Sequence, residues 1–251
     1  MRIGLCAGLA RLAEVQELGF GYLEASVTEI GNMPEEQFRE ALAVRERLDF
    51  PVPRCNCLFP GSIKLLERTL DGAAHWLQHA FPRLRQLGVE RVVFGSGGSR
   101  RRPEKMPYAV ALRRLTAAAR LVGDAAAHWG LEITLEPLRA EETNLLNTVA
   151  ETAAFAAGVA HPAVSVLADY YHIAASGEPV DDLLRLGGVR HVHVATAQGR
   201  RWPTVPEEGL TRFLQALAAS GYDGLVSVEG SSDDWHRDAA PAIALLRDAL
   251  G

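Results

Sequence analysis

Two glutamates, an aspartate and a histidine able to hold a divalent cation lie at or near the ends of four successive apolar segments in the second half of this chain. Glu136 closes ITLE, Asp169 closes VLAD, His193 sits in HVHV and Glu229 closes VSVE. Side chains alternate along an extended segment, so their facing can be tested. Thr134 shares a face with Glu136, and Ile133 and Leu135 take the other. Asp169 opposes Ala168 and Val166, His193 opposes Val192 and Val194, and Glu229 joins Ser227 while opposing Val226 and Val228. In all four segments the polar residues are expected on one face and the apolar ones on the other. One polar residue at a segment end is ordinary, because loops begin there and water is near. Four in succession with consistent facing describe a polar centre inside an apolar sheath. Three carboxylates and a neutral imidazole carry a charge that a divalent cation largely offsets. Such a donor set suits Mn²⁺ or Mg²⁺, with Co²⁺ and Zn²⁺ also within its range.

Eight short segments, most of them rich in Val, Ile or Leu, are predicted as strands: 2–7, 22–26, 52–58, 91–95, 131–136, 164–169, 189–195 and 224–229. Between them the apolar spacing is helical. Leu210, Phe213, Leu214 and Leu217 follow it, as do Leu112, Leu115, Ala119, Val122 and Ala126. Thr148 followed by Glu151 opens a further helix with a capping box. Strand and helix alternating eight times imply a parallel sheet with helical crossovers. The expected fold is α/β, a single-domain (β/α)8 TIM barrel over 1–251, because an open doubly wound sheet would bring a Gly-rich phosphate turn after its first strand. In such a barrel the C-terminal strand ends carry the active site, which is where the four donors fall.

The chain has 251 residues and a net charge of −5, against the basic balance of a nucleic-acid binder. No run of 18 apolar residues suggests a membrane span, and the first residues are too quickly charged for a secretion signal. Three cysteines cannot build a disulfide framework, and their odd number suits a reducing, cytoplasmic setting. Cys55 and Cys57 are expected to be small core or pocket-lining residues.

LEPLRAEETNLLNT (135–148), DYYH (169–172), HVHVA (191–195) and VEG (228–230) resemble the xylose-isomerase-like superfamily of sugar isomerases and epimerases, the D-tagatose 3-epimerase-like group. NCLFPGSIKL (56–65) and VVFGSGGSRRRPE (92–104) are similar to it as well, so the resemblance runs over almost the whole chain. It implies one divalent metal on Glu136, Asp169, His193 and Glu229. Substrate contacts would come from Glu142 and His172, and from Arg200 or Arg201. The implied partner is a small sugar or sugar derivative, with neither nucleic acid nor membrane, and a homodimer is compatible. The chemistry would be epimerisation or aldose–ketose isomerisation through a cis-enediolate, with Glu136 and Glu229 moving the proton.

An inosose-type dehydratase could use the same metal set. An endonuclease-IV-like nuclease would need extra histidines that 52–58 and 91–95 do not offer. A non-catalytic sugar-binding barrel would not need both candidate acid/base carboxylates. His191 is expected to be a core histidine, and Trp202 either a lid over the pocket or a loop anchor. Residues 95–102 are read as a plain turn with solvated arginines, so a phosphorylated sugar is not favoured over a free one.

Overall fold

The computed structural model describes residues 1–180 and 188–251. Eight parallel strands close on themselves in sequence order, with the first paired to the last. They are β1 (Arg2–Cys6), β2 (Leu23–Ser26), β3 (Arg54–Asn56), β4 (Arg91–Phe94), β5 (Glu132–Leu135), β6 (Val164–Asp169), β7 (Val189–Val194) and β8 (Leu225–Val228). The described helices are α1 (Leu12–Glu17), α2 (Val27–Asn32), α3 (Glu35–Leu48), α4 (Asp71–Gln86), α5 (Gly97–Arg100), α6 (Tyr108–His128), α7 (Val149–Val159), α8 (Tyr170–Ser176), α9 (Glu208–Ala219) and α10 (Trp235–Leu250). This is the single (β/α)8 barrel that the alternating pattern demands.

The core is a sleeve between sheet and helices. Ile133, Leu135, Val166, Ala168, Val192, Val194, Val226 and Val228 all lie in it, the outward residues of the alternation. Leu210, Phe213, Leu214 and Leu217 of α9 are wholly buried there, each contributing about 1.5–3 kcal/mol through removal from water. Leu115, Ala119, Val122 and Ala126 of α6 are buried as well. The Thr148 hydroxyl accepts from Glu151 N–H at 3.0 Å and caps α7. The Glu151 carboxylate reaches back one residue further than a capping box requires, to Asn147 N–H at 2.8 Å.

Two expectations are corrected. The strand expected at 52–58 is only Arg54–Asn56, because Pro51 and Pro53 have no N–H for the ladder and Cys57 turns to a φ of 52°. The polar face is also not wholly polar. Leu167, on the same side of β6 as Asp169, is buried yet lies outside the sleeve cluster, since the barrel interior must itself be packed with side chains.

Candidate metal centre

Glu136, Asp169, His193 and Glu229 converge at the C-terminal mouth, where one donor atom from each lies within 4.8 Å of all the others. Glu136 and Glu229 stand one residue beyond β5 and β8, while Asp169 ends β6 and His193 lies within β7. His193 Nδ1 is 3.0 Å from Glu229 Oε2 and 3.5 Å from Glu136 Oε1.

Local structure aims each carboxylate. Asp169 is the N-cap of α8: its Oδ1 accepts from Tyr171 N–H at 2.8 Å, which leaves Oδ2 for the centre. Glu136 is steered by two neighbours. A Cβ on Gly95 would overlap Glu136 Oε2, so only glycine at the end of β4 leaves room for the carboxylate. The guanidinium of Arg100, buried at 1% exposure, donates to the Glu136 carbonyl at 2.5 Å. Arg100 is therefore not one of the solvated arginines expected at 95–102; it braces the loop after β5 from within α5. Asn56 at the end of β3 donates from Nδ2 to Glu229 Oε1 at 3.1 Å.

Glu136 Oε1 and Asp169 Oδ2 are buried without a hydrogen-bond partner among the described residues. Burial, and then the neighbouring Glu229, raise the pKa of both above the usual carboxylate range. Burial would raise Glu229 too, but His193 and Arg200 outweigh it and hold that carboxyl down. Orphaned oxygens, mutual repulsion and an adjacent imidazole fit a divalent cation and its oxygen-rich preferences. Cys6, Glu24 and His193 form a second, overlapping group of three donors. There the Glu24 oxygens are already engaged by protein hydrogen-bond donors.

The structure separates the two arginines. Gly199 and Arg200 both adopt left-handed backbone, with φ of 76° and 51°, and the turn sends consecutive side chains opposite ways. Arg200 Nη2 lies 2.6 Å from Glu229 Oε2 and 3.5 Å from Asp169 Oδ2, and its plane sits over the Tyr171 ring at 4.9 Å. Arg201 instead pairs with the exposed Asp233. Trp202 is a loop anchor rather than a lid: it is buried against Phe20 and Trp235, and its indole donates to the Gly230 carbonyl at 3.0 Å.

His172 is buried at the rim of the donor cluster. Its Nδ1 accepts from Arg139 N–H at 3.1 Å, so the proton sits on Nε2, 3.6 Å from Asp169 Oδ2 and otherwise unpartnered. Burial and the nearby Arg200 push its pKa down to about 3, keeping the ring neutral. Glu142 Oε1 accepts from Arg139 Nε at 2.9 Å and lies 3.8 Å from Arg200. A cavity of about 420 Å³ opens beside Glu229 and Arg200, lined also by Cys6, Ser26, Asn56 and Ser231.

Glu24, in the middle of β2, was not singled out by the sequence. It is wholly buried beneath the centre, and its carboxylate accepts from His193 Nε2 at 2.8 Å, His191 Nε2 at 2.7 Å and Ser227 Oγ at 2.5 Å. The signal was available: Leu23 and Ala25 face the sleeve, so Glu24 must face the interior.

A closed (β/α)8 barrel with three carboxylates and an imidazole gathered at its C-terminal mouth defines a candidate cation-binding barrel of the kind that carries chemistry in its βα loops. The chain belongs to the xylose isomerase-like TIM barrel family, whose model matches residues 12–249. A ketose 3-epimerase of Arthrobacter globiformis is 29% identical over 128 residues, 49% of this chain and 43% of that protein, so the match spans less than half of the relative's length. Among solved structures, D-psicose 3-epimerase in the presence of D-fructose superposes with a TM-score of 0.88 at 18% identity, covering 100% of both chains. D-psicose 3-epimerase with D-tagatose from Clostridium cellulolyticum H10 gives 0.87 at 20% identity, over 100% of this chain and 99% of that one. At these identities the likeness is one of fold. No helix among the described residues is long and apolar enough to cross a membrane.

Proposed function

We infer that this protein is a divalent-metal-dependent sugar isomerase acting on a ketose, with epimerisation next to the carbonyl as its reaction. The observation that carries this reading is that Glu136 and Glu229, from opposite parts of the barrel wall, approach the same atom, His193 Nδ1, at 3.5 and 3.0 Å. Glu136, Asp169, His193 and Glu229 would hold the cation, Mn²⁺ or Mg²⁺ by their oxygen-rich set. When bound, it supplies Lewis acidity to a sugar carbonyl and the hydroxyl beside it.

The protein side chains do the rest. One of Glu136 and Glu229 takes the proton from the carbon next to the carbonyl, leaving a cis-enediolate, and the other returns a proton to the opposite face. Arg200 and the Nε2–H of His172 present donors to the sugar's oxygens, and Glu142 holds Arg139 and Arg200 in place. The activities named for the relatives, 3-epimerisation of ketoses, agree with this assignment. Three free cysteines suit a reducing compartment such as the cytoplasm.

The test is a panel of free ketoses in D₂O with chelator-stripped protein, before and after Mn²⁺ is returned. An epimer carrying solvent deuterium at the inverted carbon, formed only with metal, is the expected result. Loss of water from the substrate would instead identify a dehydratase, and a metal-loaded protein inert to the whole panel would overturn the reading.

A further inference from the structure

A carboxylate shared by two histidines is an expensive thing to place on a barrel floor. Glu24, His191 and Ser227 are all 0% exposed, and Tyr22 completes the group through its hydroxyl, 2.7 Å from Ser227 Oγ. Barrel interiors are ordinarily packed with branched aliphatic residues. Replacing a buried polar cluster by well-packed apolar side chains is often neutral or stabilising, so such a cluster is weak as a stabilising device. Even the backbone makes room for it: a Cβ on Gly4 would overlap the Tyr22 ring.

The geometry gives this cluster one exit. Glu24 Oε2 is taken by His191 Nε2 and Ser227 Oγ, and the other nitrogen of His191, Nδ1, lies 3.2 Å from the Leu225 carbonyl and away from the centre. Glu24 Oε1 remains, and it meets His193 Nε2 at 2.8 Å. His193 is thereby fixed at one ring nitrogen, while the other, Nδ1, faces Glu136 and Glu229. A ligand histidine is commonly oriented in this way by a carboxylate on its remote N–H, which fixes the tautomer and strengthens the donor nitrogen.

We propose that Glu24 is the positioning residue of the centre: it holds the proton of His193 on Nε2, so that Nδ1 is the nitrogen presented to the cation, and Tyr22, Ser227 and His191 fix Glu24 in that task. The inference rests on the metal-dependent reading above.

Two measurements test it. The first is Mn²⁺ affinity of the purified wild type and of Glu24→Gln, by calorimetry, with circular dichroism to follow the fold. Glutamine keeps the shape and removes the charge. The expected result is an affinity at least about tenfold weaker in a folded variant, within the range seen when such outer partners of ligand histidines are removed. A folded variant that binds Mn²⁺ within about twofold of wild type overturns the proposal. The second needs no variant, and so decides the matter if Glu24→Gln fails to fold. It is nitrogen-15 NMR of His193 in wild-type protein titrated with diamagnetic Mg²⁺. The expected spectrum of the Mg²⁺-saturated protein shows a proton on Nε2 and none on Nδ1, which carries the larger metal-dependent shift; a proton retained on Nδ1 at saturation, or the larger metal-dependent shift at Nε2, overturns the proposal. Wild-type protein that binds no divalent cation at all would instead overturn the metal reading, which keeps the two failures apart.

Discussion

The carboxylate of Glu136 occupies the space that a side chain at residue 95 would need. Glycine there is required by this contact, since its φ is not left-handed and the backbone would accept alanine. The atom in the way is the tip of a flexible side chain, so Gly95→Ala should swing Glu136 aside rather than unfold the barrel. Thermal unfolding within a few degrees of wild type, with Mn²⁺ affinity and epimerase turnover each reduced by about tenfold or more, is the expected outcome. A variant with a normal centre would show that Glu136 has room elsewhere.

Asp169 has two duties that can be separated. Its Oδ1 caps α8 and its Oδ2 faces the centre. Asp169→Asn retains an oxygen for the cap but not the charge, whereas Asp169→Ala loses both. Both variants should come off a chelating column without stoichiometric metal. Only the alanine variant should lose stability through the cap, by about 1 kcal/mol in denaturant melts of the metal-free proteins. Full metal content in either would remove Asp169 from the ligand set.

Proton transfer by two carboxylates makes a kinetic prediction. Glu136→Gln and Glu229→Gln should each lower turnover by about 10²-fold or more, the scale of a positioned acid or base. Metal content has to be measured alongside, because both residues also belong to the candidate cation-binding group. If either variant keeps its metal and incorporates solvent deuterium at the wild-type rate, the two-carboxylate mechanism fails.

Arg200 and Arg201 are neighbours in sequence with opposite surroundings. Arg200 touches Glu229 and lies near Asp169, while Arg201 pairs at the surface with Asp233. Arg200→Lys should lower kcat/KM by about 10²-fold, since a lysine cannot reproduce the planar fork. Arg201→Ala should leave the kinetics unaltered. The reverse order of effects on the ketose substrate would show that the loop rearranges when sugar binds.

Much of the barrel was legible because strand and helix have different periods. The alternation around Glu136, His193 and Glu229 assigned sleeve and interior correctly, since one-residue steps along a strand leave no third direction. The helical spacing of Leu210, Phe213, Leu214 and Leu217 identified the buried face of α9 for the same reason. Glu24 obeyed the same rule. Its role is not legible in the sequence around it, because β2 is short and the partners of Glu24, His191, His193 and Ser227, lie more than 160 positions away along the chain. Which arginine enters the mouth was never written in the spacing. It depends on the left-handed turn at Gly199 and Arg200. That turn is held because Ser231 N–H donates to the Arg200 carbonyl, joining the loops after β7 and β8. The burial of Arg100 likewise depends on the loop after β5 closing over α5. Local periodicity determined which side chains could meet at the barrel mouth. Only closure of the barrel, which brings β2 across from β7 and β8, decided which of them share a proton, a carboxylate or a charge.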